Sequence, residues 1–304
     1  MPLPARHAAA AIERLTSAPL TPGLYLVATP IGHLADITLR ALAVLARADV
    51  IYCEDTRHTR TLASHYGLKA PLRPYHEHNA AAQRPRIIEE MAGGARVALV
   101  SDAGTPLISD PGYKLVRDAV EAGHHVESLP GASAMLVALT TSGLPTDTFL
   151  FAGFLPPKQA ARRTRLRELA AVEATLVFYE APSRLPSSLA DLVEVLGATR
   201  QGAVARELTK MHEQVVRGSL HDLARDYSGA EVKGEVAIVI APPERAQVDD
   251  SALQAALTEA LARVRLNEAS REVARAFGVP RQRVYELGLA LKAAAGEGDG
   301  EASG

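Results

Sequence analysis

Short apolar runs alternate with segments of helical spacing along most of this chain. Residues 24–28 (LYLVA), 50–53 (VIYC) and 97–100 (VALV) are unbroken apolar runs of strand length. Such runs mark strands buried on both faces of a parallel sheet rather than half-solvated ones. Between them, 36–46 (with Asp36 as N-cap), 56–66, 80–91, 113–122 and 132–142 repeat apolar residues at helical spacing. Residues 71–78 read as loop and 125–129 as a short strand. After a pause at Gly143-Leu144-Pro145-Thr146, a second series begins, with strands expected at 149–154, 175–179, 203–206, 214–217 and 236–240. Its helices are expected at 160–170, 185–196 and 220–226. The strand at 214 follows its predecessor too closely for a crossover, so those two predict an antiparallel ribbon.

This alternation predicts an α/β protein of two α/β domains, 21–146 and 147–243, with a cleft between them. Pro242-Pro243 closes the second. Residues 249–293 are purely helical, with Leu253, Leu257, Leu261 and Val264 on one face and a Gly278-Val279-Pro280 turn before the last helix. That is a helix-turn-helix pattern. A flexible extension over 1–20 and a disordered tail over 294–304 are expected at the two ends.

The densest punctuation is VSDAGTPLISDPG at 100–112, directly after an apolar run. Gly104 and Gly112 permit close backbone approach, and Pro106 and Pro111 fix the path. Asp110 is placed to cap a helix begun by Pro111. Open α/β sheets bind ligands at such loops, outside the carboxyl ends of their strands. Two further loops of this kind are Thr29-Pro30-Ile31-Gly32 and Pro130-Gly131-Ala132-Ser133-Ala134. Neither G-x-G-x-x-G after the first strand nor a Walker A sequence is present, which argues against a dinucleotide or P-loop enzyme. Cationic residues are few in these loops, so a polar small molecule with apolar parts suits them better than a polyphosphate.

Composition narrows the class further. The 304 residues are 47% hydrophobic and 22% charged with a net charge of −2, so nucleic-acid contact would need a local basic patch. Lys158, Arg162, Arg163, Arg165 and Arg167 supply one, with few acids before Glu168. The single Cys53 excludes an internal disulfide and a cysteine zinc cluster. No apolar run reaches membrane-spanning length, and the stretch around Arg6 lacks the apolar segment of a secretion signal. A soluble cytoplasmic protein is expected.

Titratable residues gather at strand ends. Glu54-Asp55-Thr56-Arg57-His58 reads either as a polar site or as an N-cap with a local ion pair. Tyr75-His76-Glu77-His78-Asn79 lacks a third ligand at metal spacing, so substrate contact is the better reading and no metal is expected. Glu180, Arg184, Arg206, Glu207 and Lys210 end two strands of the second series, where an ion-pair network is a real alternative to a site. Lys233-Gly234-Glu235 precedes the last strand, where Gly234 allows close approach.

The segments LYLVATPIGHLAD, EDTRHT, HEHN, VSDAGTPLISDPG, PGASA, GFLPPK, FYEAPSR, RELTKMHE and KGEVAIVI, in that order, resemble the bacterial ribosomal RNA small subunit methyltransferase I family. These are 16S ribosomal RNA ribose 2′-O-methyltransferases of the tetrapyrrole-methylase fold, and the resemblance runs from about residue 23 to 291. His33 stands where the family usually has Asn, and Ala80 where an acid is common. The resemblance implies S-adenosylmethionine as donor, bound between the two α/β domains. Thr29, Pro30, Gly32, Asp102, Ala103, Gly104, Thr105, Pro106, Ser133 and Ala134 would line its site from the first domain, and Tyr179, Leu208 and Gly234 from the second. The implied acceptor is the 2′-hydroxyl of a cytidine in the decoding region of 16S rRNA, within the small ribosomal subunit. Members of this fold are commonly dimers, and a homodimer is expected. Glu54, Asp55, His76 and Glu77 are the base candidates, with Lys210 as an alternative cation for a nascent alkoxide. Two rivals are a small-molecule methylase of the same fold and a DNA-binding regulator led by the terminal module. The basic patch argues against the first and the size of the α/β part against the second.

Overall fold

The computed structural model describes residues 3–244 and 249–298. In chain order the first part comprises α1 (Leu3–Ser17), β1 (Gly23–Val27), α2 (Leu39–Arg47), β2 (Val50–Cys53), α3 (Thr56–Tyr66), β3 (Leu72–Pro74), α4 (Ala80–Ala92), β4 (Arg96–Val100), α5 (Tyr113–Glu121), β5 (His125–Leu129) and α6 (Ala134–Ser142). Its five strands form a parallel sheet of order β3-β2-β4-β1-β5. β1 is buried along its whole length because helices cover both faces. On one face, Tyr25, Val27, Ile51 and Val100 pack with Ala41, Leu42 and Leu45 of α2 and Leu62 of α3. On the other, Leu24, Leu26, Tyr52 and Leu99 pack with Ile87 and Met91 of α4 and Leu115 of α5.

The second part comprises β6 (Phe149–Phe154), α7 (Gln159–Leu169), β7 (Thr175–Glu180), α8 (Leu185–Leu196), β8 (Gln201–Arg206), β9 (Gln214–Ser219), α9 (Leu220–Asp226) and β10 (Val236–Ile240). This sheet is mixed, in the order β6-β7-β10-β8-β9. β6 and β7 run parallel, β10 is antiparallel to both neighbours, and β8–β9 is the antiparallel ribbon expected from their spacing. α7, α8 and α9 cover one face through Leu166, Leu189 and Leu220. The other face takes α6, whose Ala138 and Leu139 pack on Val177, Ala203, Ala237 and Val239. α6 therefore belongs by sequence to the first series and by packing to the second sheet, and residues 1–243 cluster as one compact unit.

After Pro243 the described residues form a separate unit of α10 (Asp250–Leu261), α11 (Leu266–Phe277) and α12 (Arg281–Gly298). Leu253, Leu257, Ala269, Val273 and Val284 make its core, and Gly278, in the left-handed conformation, ends α11 before the turn into α12. Among the described residues no helix is long and apolar enough to cross a membrane.

Five local expectations are corrected. The loose extension is helix α1, held on α2 where Ile12 meets the core and Arg47 donates to the Leu15 carbonyl. Residues 72–74, read as loop, pair with β2 as an edge strand, because that pairing satisfies backbone groups the polar sequence does not advertise. Asp36 ends a 3₁₀ turn, and Thr38 caps α2 by accepting from the Ala41 N–H. Asp110 does not cap α5; the helix starts at Tyr113, after Gly112 at φ 146°. The tail expected from 294 begins inside α12, because its alanines favour helix, and 299–304 lie outside the described residues. So do 245–248, in the linker after Pro243.

Candidate active site

The loops after β1, β4, β5, β7 and β8 and before β10 surround a cleft of about 370 Å³, within the size range of small-molecule sites. Its floor is tied together by backbone and hydroxyl hydrogen bonds. Thr29 and Gly104 exchange two backbone hydrogen bonds, of 2.9 and 3.0 Å. The Thr29 hydroxyl donates to the Ser101 carbonyl, and the Thr105 hydroxyl to the Ala132 carbonyl. The Met135 N–H donates to the Tyr179 hydroxyl at 3.1 Å, joining the start of α6 to β7.

At one rim the loop after β1 meets the loop after β8. A Cβ on Gly32 would come within 2.5 Å of Lys210 Cγ and 3.0 Å of the Leu208 carbonyl, so only glycine lets these loops touch. The His33 N–H donates to the Thr209 hydroxyl there. His33 Nδ1 also accepts from the Ala35 N–H, the capping task that an Asn side chain performs equally well.

Of the residues expected to hold the donor, Asp102, Ala103, Gly104, Thr105, Ser133, Ala134, Tyr179, Leu208 and Gly234 line the cleft. Thr29, Pro30, Gly32 and Pro106 do not. Thr29 is buried beneath Gly104 as a brace, Gly32 is the loop contact, and Pro106 lines a separate small hollow with Glu54, Tyr75, Ser101 and Asp110. Of the Thr29–Gly32 loop it is Ile31 that lines the cleft, and sequence reasoning missed Asp110, Phe154, Glu235 and Ala237 as lining residues. Phe154 had a signal: Gly153 at φ 68° sits in a register irregularity of β6, and such bulges re-aim side chains near sites.

Among the described residues four non-glycine residues have positive φ, and all lie in two loops of this cleft: Leu107 (72°) and Ser109 (67°) after β4, Glu207 (52°) and Thr209 (63°) after β8. Each costs about 1–3 kcal/mol, strain that persists only where the surroundings over-determine the backbone. Gly234, at φ 87°, makes room for one of these residues, since its Cβ would lie 2.2 Å from the Glu207 carboxyl. Glu207 accepts from the Glu235 N–H and from Lys210 Nζ, which also reaches Glu235 at 3.2 Å. Burial opposes the charge on Lys210, but these two carboxylates outweigh it and raise its pKa. Lys210 is therefore a held cation and no proton acceptor.

The other catalytic candidates separate. Asp55 caps α3 and pairs with Arg57 at 2.7 Å; hydrogen bonds from Arg57 pull its pKa to about 2, leaving a poor base. Glu77 is exposed, and Asn79 locks its turn by accepting from the His76 N–H. His76 keeps a buried Nδ1 without a hydrogen-bond partner. Glu54 faces the small hollow, where burial first and then Asp102 raise its pKa while His76 lowers it. Asp110, absent from the sequence candidates, is pushed up to about 6 by burial and by Glu54. No group of three or more His, Cys, Asp or Glu among the described residues could hold a metal.

The basic patch on α7 is corrected in part. Arg162 is buried, with Nη2 2.6 Å from Asp191 of α8, and Arg163 pairs with Asp191 and Glu194. The compensating acids come from the packed helix and not from α7. Arg165 is exposed beside Glu168, while Lys158 and Arg167 are exposed without an ion pair among the described residues. Glu180 and Arg184 are likewise structural: Glu180 is buried, pairs with Arg184 at 2.6 Å and accepts from Ser188.

The cleft's lining decides what it can hold. Asp102, Asp110, Glu180 and Glu235 line it, Lys, Arg and His do not, and Ile31, Ala205, Leu208, Val236 and Ala237 give apolar walls. Such a lining favours a ligand with a positive centre and a flat apolar part, and disfavours a polyphosphate.

Comparison with known proteins agrees in fold and extent. Residues 23–224 match the family of tetrapyrrole (corrin/porphyrin) methylases, and 247–292 match the RsmI C-terminal HTH domain. The chain is 50% identical over 283 residues to the ribosomal RNA small subunit methyltransferase I of Mesorhizobium japonicum, covering 93% of this chain and 96% of that one. Among solved structures, uroporphyrin-III-C-methyltransferase from Thermus thermophilus superposes with a TM-score of 0.54 at 25% identity, covering 72% of this chain and 93% of that one. A uroporphyrin-III C-methyl transferase structure from Thermus thermophilus complexed with S-adenosyl homocysteine has a TM-score of 0.51 at 20% identity and covers 72% of this chain and 97% of that one.

Proposed function

The chain belongs to the ribosomal RNA small subunit methyltransferase I family, and on that premise we propose that it methylates the ribose 2′-oxygen of a cytidine in the decoding region of 16S rRNA, using S-adenosylmethionine. The observation that carries this reading is a cleft of small-molecule size with carboxylates and no basic side chain in its lining. A donor that is cationic at sulfur and at its amino group, with an apolar adenine, suits that lining. The relative solved with S-adenosyl homocysteine supports the same choice.

When bound, the donor supplies a methyl group on a positively charged sulfur. The chain's residues do the rest. Gly104 and the α6 start, braced by Thr29 and Tyr179, form a rigid side of the cleft; Ile31, Leu208, Val236 and Ala237 exclude water. Alignment of this kind is worth up to roughly 7–11 kcal/mol of barrier. A ribose hydroxyl is almost fully protonated at neutral pH, so a positioned base adds about 10²–10⁴-fold. Lys210, held as a cation by Glu207 and Glu235, stands at the rim where it would steady an alkoxide or a phosphate.

RNA contact falls to Lys158, Arg165 and Arg167 on α7 and to exposed Arg271, Arg275 and Arg281 of the helical module. With no Trp and 4% aromatic residues, recognition rests on shape and backbone, which favours a folded subunit over free strands. The setting is cytoplasmic, where such subunits are found. A homodimer completes the reading: Tyr113 and Val120 on α5 and Phe149 on β6 are exposed apolar side chains that a second copy would cover, and sedimentation velocity measures the state.

The direct test incubates the protein with labelled S-adenosylmethionine and small subunits lacking the modification, then maps the label. Label on one ribose of a decoding-region cytidine is the expected result. Donor binding without labelled RNA would overturn the acceptor and turn attention to small molecules.

A further inference from the structure

Transfer to a ribose hydroxyl, as proposed above, requires a group that accepts the hydroxyl proton. Asp110 stands where two hollows adjoin. It lines the cleft with Asp102, Tyr179 and Gly234, and it lines the small hollow with Glu54, Tyr75 and Ser101. No other residue lines both. The backbone is bent to place it there. Leu107 and Ser109 both sit at positive φ, Leu107 packs inward against the sheet, and Ile108 turns outward. Gly112 is needed behind it, because a Cβ there would come within 2.9 Å of Leu107.

We propose that Asp110 is the catalytic base of the methyl transfer, with Glu54 across the small hollow as the carboxylate that tunes it. The hydroxyl O–H bond breaks and its proton bonds to an Asp110 carboxylate oxygen. The pair left on the ribose oxygen forms the bond to the methyl carbon, and the pair of the broken carbon–sulfur bond stays on sulfur. The proton then leaves to solvent.

The surroundings suit this task. Glu54 faces Asp110 from the end of β2 with His76 beyond it, Asp102 and the Ser101 hydroxyl face it from its own loop, and the Tyr179 hydroxyl from β7. Burial and Glu54 raise its pKa to about 6, Asp102 adds to this, and Ser101 draws it back. Such a carboxylate is ionised at neutral pH yet more basic than an ordinary one, the condition for efficient proton transfer.

The test compares wild type, Asp110→Asn and Glu54→Gln in single-turnover methylation of unmodified small subunits. Binding of S-adenosylmethionine and S-adenosylhomocysteine is measured by calorimetry alongside. Asp110→Asn should slow the donor-saturated rate by about 10²–10⁴-fold, while donor affinity changes by less than about threefold. The wild-type rate should rise with pH to a midpoint near 6 and then level, and Asp110→Asn should lose that midpoint. Glu54→Gln should move the midpoint down, a readout that survives if Asp110→Asn fails to fold. An unchanged saturated rate, or a defect cured by excess donor, would overturn the base and make Asp110 a spectator or a donor contact. An unmoved midpoint in Glu54→Gln would overturn the pairing. If wild type itself labels no RNA, the acceptor reading fails and the base assignment falls with it; a fully active Asp110→Asn on RNA that wild type labels overturns the base alone.

Discussion

Asp110 ties stability to pH as well as chemistry. Its folded pKa of about 6 lies above the ordinary 3.8, so the folded chain holds more protons than the unfolded one between those values. Its contribution to stability is therefore present below about 4 and lost as pH rises through 6, a change of about 1–3 kcal/mol for a half-buried group. Asp110→Asn should accordingly be more stable than wild type at pH 7 and equal to it near pH 3.5, as denaturant titration at the two pH values would show. Gly234 offers a second test at this scale. Gly234→Ala would force a side chain onto a backbone at φ 87° and displace the Glu207 carboxyl that fixes Glu235 and Lys210. Donor affinity should fall at least about tenfold, or 1.4 kcal/mol, by calorimetry. Gly234 was readable in sequence because glycine beside a strand has few other uses. Asp110 was read as a helix cap because the local pattern shows Asp-Pro-Gly and hides the strained backbone before it.

Among the elements, α7 shows how a local reading of charge fails. Five basic residues lie between 158 and 167, but Asp191, which neutralises Arg162 and Arg163, is 29 and 28 residues away on α8. Asp191→Ala should cost about 3–5 kcal/mol, because it leaves the buried Arg162 unpaired. A large fall in melting temperature would register it. Arg165→Glu, on the exposed face, should change stability by no more than about 0.5 kcal/mol. Reversing Lys158, Arg165 and Arg167 together should weaken RNA binding and flatten its salt dependence by roughly 2–3 units of slope, with donor binding spared. RNA affinity unaltered across a salt series would remove α7 from the interface. Strand and helix positions were legible because burial imposes its period on the sequence. The short β3 was not, since an edge strand of three residues buries too little to leave a pattern.

For the molecule as a whole, the division after Pro243 makes a direct prediction. A chain ended there keeps both sheets and the cleft, so it should fold and bind the donor within about threefold of full length. RNA affinity should drop as the exposed arginines of the module are lost; loss of donor binding instead would mean the cleft needs the module. Residues 1–243 share one contact network because α6 crosses from one sheet to cover the other. The sequence by itself determined the order of strands and helices apart from α1 and the edge strand β3, the glycine- and proline-rich loops at strand ends, the helix-turn-helix and, through its motifs, the family. Each of these depends on local backbone geometry or on the period of burial, and both are written in consecutive residues. Only the tertiary structure decided which loops meet, which arginines are neutralised, and which carboxyl is pressed between two hollows. Those outcomes depend on distances between residues far apart in the chain and on the removal of water between them, and neither leaves a mark in local sequence.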